Sequence, residues 1–161
     1  MSTFHKIYEE NARKLYGFLF SLTGNKVLAE ELMQEAFFQA LKSFDKFEGR
    51  CSVYTWLCQI GKNAWLKEVR RNKRYSELEL NDLYLLDNSP PLDELLIKKD
   101  EYIRARKALF KLEEPYRNVF ILHAIGEVKL KEIASLYEKT ESWARVTYYR
   151  ARMQIVQEVM K

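Results

Sequence analysis

The chain has 161 residues, of which 47% are hydrophobic and 31% charged, with a formal charge of +4. That apolar content argues against a disordered chain, and no apolar run approaches the roughly 18 residues of a transmembrane helix. Only five Gly and three Pro, among abundant Leu, Ala, Glu, Lys and Arg, argue against a turn-rich β fold and predict an all-α protein.

Phe4 to Leu22 carries Ile7, Leu15, Phe18 and Leu22 at helical spacing. Gly24 then ends one helix and Asn25 caps the next. From Lys26 to Phe44, the residues Val27, Leu28, Leu32, Ala36, Phe37, Ala40, Leu41 and Phe44 recur in steps of three and four, as in an amphipathic helix. The segment Phe47 to Ser52 breaks the pattern, and Ser52 is the expected N-cap of a third helix reaching about Arg74. Its expected apolar positions include Val53, Trp56, Leu57, Ile60, Ala64 and Val69.

The segment Ser76 to Leu92 reads as an acidic linker that ends in Asn88-Ser89-Pro90-Pro91. Helical periodicity returns from about Leu92 to Leu112, and Pro115 opens a helix that Gly126 closes. Two more helices, Leu130 to Tyr137 and about Ser142 to Met160, flank the short connection Glu138 to Glu141. The domains expected from this pass are 1–75 and 98–161, with 76–97 between them.

Charge runs in blocks along this order. Lys62, Lys67, Arg70, Arg71, Lys73 and Arg74 cluster in the third helix, Glu77 to Glu94 is acidic, and Lys139, Arg145, Arg150 and Arg152 lie near the end. Two cationic blocks suit a polyanion, although ordinary solvated helix faces would produce them too. The final helix pair has helix-turn-helix proportions. Ile133, Ala134, Leu136, Ala144, Tyr148, Ala151 and Ile155 would pack it, leaving Arg145, Tyr149, Arg150 and Arg152 outside. Such a helix can enter the major groove, where Arg reads guanine; a plain αα-hairpin has the same proportions. Tyr54, Trp56 and Trp65 interleave with Lys62, Asn63, Lys67, Arg70 and Arg71 on the third helix, a mixture that suits unstacked bases. Trp56 and Trp65 could equally fill a core.

Chemistry of other kinds finds little support. Glu30, Glu31 and Glu35 share a helix with no His nearby and read as a solvated or protein-binding face rather than an acid pair. Cys51 and Cys58 form no CxxC, and His5 and His123 are remote, so no metal, cofactor or small-molecule substrate is expected. The first ten residues lack the apolar core of a secretory signal, so the expected location is the cytoplasm without membrane insertion.

Several motifs, in order, resemble the extracytoplasmic-function (ECF) group of the σ70 family. Leu22-Thr23-Gly24, Ala29 to Glu35 and Phe37 resemble the first block of family region 2. Phe47, Gly49, Ser52, Thr55-Trp56-Leu57, Ile60, Asn63 and Arg70-Arg71 resemble its remainder. Glu132-Ile133-Ala134 and Arg150-Ala151-Arg152 resemble region 4. The resemblance implies a σ2-like bundle and a σ4-like helix-turn-helix domain on either side of the acidic linker. It implies contact with core RNA polymerase through Glu31, Gln34, Glu35 and Phe38. It assigns the promoter −10 element to Trp56, Lys62, Asn63, Arg70 and Arg71, and the −35 element to Arg145, Val146, Tyr149, Arg150 and Arg152. It places the linker in the RNA-exit path of polymerase and adds an anti-σ factor as a partner. Glu138 stands where a turn Gly is common in the family, and Ser142-Trp143-Ala144 replaces a common Gly-Thr-Val. The competing expectation is a helix-turn-helix regulator that binds duplex DNA without joining polymerase; it leaves the region-2-like block and the acidic linker unused.

Overall fold

The computed structural model describes residues 3–73 and 99–161, and the expected linker at 76–97 lies outside them. The chain divides into two compact units, Met1–Pro91 and Leu92–Lys161. Every regular element among the described residues is helical.

In the first unit, α1 (Thr3–Thr23), α2 (Lys26–Ser43) and α3 (Val53–Lys73) pack against one another in all three pairs. Ile7, Leu15, Phe18 and Leu22 are buried, as their spacing predicts. Asn11 is buried among them, and its amide donates to the Ile7 carbonyl at 2.9 Å, which removes much of the cost of burial. The α1–α2 junction is built by local chemistry. Gly24 takes φ +69°, a left-handed value that glycine adopts without strain. The Asn25 side chain then accepts the Leu28 N–H at 2.8 Å and caps α2. Ala29, Ala36 and Ala40 are fully enclosed on the inner face of α2, where small residues let neighbouring helices approach. Val27 and Leu41, expected on that apolar face, are exposed instead, because the buried stripe is Ala29, Leu32, Met33, Ala36, Phe37 and Ala40.

A short 3-10 turn, Phe44–Lys46, and a turn at Gly49 (φ +75°) lead to α3. Ser52 Oγ accepts the Thr55 N–H at 3.1 Å, the expected cap. The buried face of α3 departs from expectation. Leu57, Cys58, Gly61, Lys62, Trp65, Leu66 and Val69 turn inward, whereas Val53, Trp56, Ile60 and Ala64 are only partly covered. A Cβ on Gly61 would stand 3.1 Å from Leu19 Cδ2, so the glycine marks where α1 presses on α3. Periodicity misplaced this face because a lysine, a cysteine and a glycine occupy its centre. Neither cysteine forms a disulfide among the described residues; Cys58 is buried and Cys51 half-buried.

The second unit contains α4 (Lys99–Lys111), α5 (Tyr116–Phe120), α6 (Leu130–Leu136) and α7 (Glu141–Val159). Pro115 stands immediately before α5, and α5 widens into a π-type turn, Ile121–Ile125. Gly126 closes that turn as expected, and Glu127 after it takes the left-handed conformation, φ +56°. The long α7 packs against α4, α5 and α6 around Leu109, Val119, Leu122, Ile133, Ala144, Ala151 and Ile155.

Candidate functional site

Three helices present an exposed face opposite their buried one. On α2, Glu31, Gln34, Glu35 and Phe38 are all exposed and lie within two turns, so they share one side of the helix. Val27 (68% exposed) and Leu41 extend this row at steps of three and four. Phe38 is 56% exposed and lies under Lys42 Nζ, 5.1 Å from its ring centre. Glu35 accepts from Gln39 at 2.9 Å. The face therefore combines carboxylates with apolar side chains that solvent does not favour.

On α3, Asn63, Lys67, Arg70 and Arg71 are exposed, spaced at i, i+4, i+7 and i+8. Arg71 is engaged by Glu68, whose two oxygens accept from Nη2 at 2.9 and 2.8 Å. Arg70 is exposed and donates from Nε to the Leu66 carbonyl at 3.3 Å. Trp56 lies seven residues before Asn63 on the same side. Its ring contacts Phe47 at 4.8 Å and Phe44 at 6.3 Å between centroids, which makes an aromatic group at the head of the basic row. Burial settles one open reading and corrects one expectation. Trp65, read as one of the aromatics among the cations, is 1% exposed and belongs to the core. Lys62, placed with the −10 contacts, is 5% exposed and points to the packed side of α3. Phe47 stands in the pattern break before α3, whereas Phe44, expected at the end of the α2 apolar row, is a partner of Trp56 that the sequence did not mark.

On α7, Arg145, Val146, Tyr149, Arg150 and Arg152 are all exposed, opposite buried Ala144, Thr147, Ala151 and Ile155. Tyr149 is 60% exposed. Tyr148 packs as expected, stacking on Phe120 at 5.7 Å and meeting His123 edge-on at 4.5 Å. Thr140 Oγ1 accepts the Trp143 N–H at 3.1 Å and starts the helix. The connection from α6 is a Schellman turn: Lys139 N–H bonds the Ala134 carbonyl at 2.9 Å and Glu138 N–H the Ser135 carbonyl at 3.1 Å. Glu138 takes the left-handed position, φ +54°. Below the turn, Asn118 donates to the Tyr137 hydroxyl at 2.7 Å, and Tyr137 contacts Trp143 at 5.1 Å. Burial pushes the Tyr137 hydroxyl above its ordinary range; the Asn118 bond opposes this and the nearby Glu114 charge adds to it. The turn between the helices is thus tied to both α5 and the head of α7. Glu141, four residues before Arg145, holds it by an ion pair at 2.9 Å. The i, i+4 spacing marks this pair in the sequence itself.

Among the described residues, no group of three or more His, Cys, Asp or Glu side chains is placed to hold a metal ion, and no helix is long and apolar enough to cross a membrane.

Comparison with known proteins decides the family. Residues 7–75 match the Sigma-70 region 2 model, and residues 102–155 match the Sigma-70 region 4 model. The chain belongs to the σ70 family. Its curated relatives place it in the ECF group. It is 28% identical over 153 residues to the ECF RNA polymerase sigma factor SigX of Bacillus subtilis, covering 92% of this chain and 79% of that one. It is also 28% identical over 156 residues to SigM of the same organism, covering 95% and 93%. The fold agrees with that of the sigma factor RpoE solved in complex with the anti-sigma factor NepR from Bartonella quintana. There the TM-score is 0.60 at 22% identity, over 99% of this chain and 98% of that one. CnrH, solved in complex with the cytosolic domain of CnrY, gives 0.55 at 20% identity, over 96% and 85%. The protein is an ECF-type RNA polymerase σ factor, a transcription initiation factor. In this σ factor the region 2 match takes in α2 and α3, and the region 4 match takes in the α6–α7 pair.

Proposed function

We propose that the three exposed faces divide the work of initiation in the cytoplasm. Glu31, Gln34, Glu35 and Phe38 on α2, extended by Val27 and Leu41, hold core RNA polymerase. Trp56, Asn63, Arg70 and Arg71 on α3 take the −10 element, joined by Lys67. Arg145, Val146, Tyr149, Arg150 and Arg152 on α7 take the −35 element. The observation that carries this reading is that each face lies opposite its helix's core, where a partner can reach it. Lys62 moves from direct contact to support of α3, because its side chain is enclosed.

The chemistry fits these assignments and requires no covalent step. Unstacking a base step costs a few kcal/mol, and stacking on an aromatic returns about 1–3 kcal/mol per base. The Phe44–Phe47–Trp56 group supplies the aromatic surface, and the row from Asn63 to Arg70 supplies hydrogen bonds and phosphate charge. On α7, Arg145 sits in the first turns, which approach base edges in helix-turn-helix proteins, and Arg152 sits later, nearer the backbone. The acidic segment 76–97 suits a basic channel of polymerase such as the RNA-exit path. An anti-σ factor is the further partner in this reading, supported by the two solved relatives, which were each captured with a protein partner.

Run-off transcription with core polymerase on a promoter library tests the whole reading. Specific transcripts are expected only when core and this chain are combined. Reversing Glu31 and Glu35 to Lys should weaken core binding by about tenfold or more, ~1.4 kcal/mol, with helicity intact. A folded double variant that binds core normally would remove α2 from the interface.

A further inference from the structure

We infer that Glu141 is a positioning residue that presents Arg145 to a base edge and keeps it off the phosphates. The inference rests on the assignment of α7 to the −35 element. Glu141 is the first residue of α7, directly after the Thr140 cap. Its Oε2 accepts from Arg145 Nη1 at 2.9 Å, and Arg145 Nη2 reaches Ser142 Oγ at 3.4 Å. Both ends of the guanidinium are therefore tethered to the first turn of the same helix. The side chain is drawn back toward the N-terminus, the end that enters a groove. Arginine has donors enough to keep both tethers and still meet the two acceptors of guanine.

The pair is exposed, with side chains 56% and 49% accessible, so in water it biases the arginine by only about twofold. Its effect is on the choice of target. An arginine whose charge is already met by a carboxylate gains less from a phosphate, and the carboxylate is itself repelled there. The neutral acceptors of guanine impose no such penalty. Val146 and Tyr149, the exposed neighbours on this face, bring no carboxylate of their own. Exclusion of water by DNA would strengthen the tether at the moment of reading.

The test is competitive binding of a randomised −35 library by full-length σ joined to core polymerase, with wild type, Glu141→Ala, Glu141→Gln and Arg145→Ala. Thermal melts confirm that each variant folds. Glu141→Ala should reduce preference at the position Arg145 reads by about two- to fivefold. Binding to mismatched sites should rise, and the slope of log affinity against log salt should steepen by roughly one phosphate contact. Glu141→Gln keeps an acceptor without the charge and should fall between wild type and Ala. A uniform change in affinity with preference unchanged would overturn the inference, since it would make Glu141 a bulk charge. Arg145→Ala separates the two layers: lost preference there with none lost in Glu141→Ala sinks this inference alone, while unchanged preference in Arg145→Ala sinks the −35 assignment beneath it.

Discussion

Helices α3 and α7 both carry cations on their outer faces, but they carry them differently. On α3 the row Asn63, Lys67 and Arg70 starts at an aromatic group, and the one acid beside it, Glu68, holds Arg71 at the far end of the row. On α7 an acid opens the helix and pairs with the first arginine, and the aromatic on the face, Tyr149, is 60% exposed. A continuous basic row with stacking surface suits a flexible single strand, whose bases and phosphates can both move to meet it. A paired arginine on the first turns of a helix suits a rigid duplex, where a base edge must be chosen over the surrounding phosphates.

The two tryptophans of α3 offer the largest test of that contrast. Trp65 is core, and Trp56 is only partly covered on the face proposed for the −10 strand. Trp65→Ala should cost about 3–5 kcal/mol of stability, read as a lower urea midpoint. Trp56→Ala should cost far less stability and instead reduce strand opening on promoters. Comparable stability losses would mean that Trp56 too is structural. On α7, Arg145→Ala should remove about 1–3 kcal/mol of discrimination at one or two −35 positions. Arg152→Ala should weaken all promoters more evenly, and library transcription by the two variants distinguishes these outcomes.

Smaller effects probe the scaffolds beneath the two faces. Gly61→Ala pushes a methyl to within 3.1 Å of the enclosed Leu19 and should cost about 1–3 kcal/mol. Gly17→Ala, on α1 with nothing within 4 Å, should gain about 0.5–1 kcal/mol. Glu138→Gly relieves a left-handed residue in the α6–α7 turn and should gain roughly 1 kcal/mol. Chemical denaturation reads all three, and a loss on Glu138→Gly would show that the glutamate side chain contributes more than its backbone strain removes.

How legible these regions were in the sequence follows the same division. The α7 face was readable because its core residues, Ala144, Ala151 and Ile155, are apolar and its outer residues mostly charged. The caps Asn25 and Ser52 were readable because capping is local chemistry. On α3 the signal failed. Lys62, Cys58 and Gly61 face inward while Trp56 and Ile60 are only partly covered, so the apolar pattern pointed to the wrong side. Only packing against α1 and α2 fixes which side of α3 is buried. On α2, Val27 and Leu41 looked like core and prove to be surface, and an exposed apolar residue at an interface carries the same letter as a buried one. The segment 76–97 was read from composition, and it lies outside the described residues.

Run-off transcription on two templates, one fully paired and one pre-melted across the −10 region, tests most directly whether α3 serves the open strand and α7 the duplex. The holoenzyme would carry wild-type σ, Asn63→Ala, Trp56→Ala or Arg145→Ala. Pre-melting should restore transcription by the two α3 variants toward wild type, because the strand separation they fail to support has already been supplied. It should leave the Arg145→Ala defect in place, since the −35 duplex is unchanged. Equal rescue of all three variants, or rescue of Arg145→Ala alone, would contradict the division of labour between the two helices.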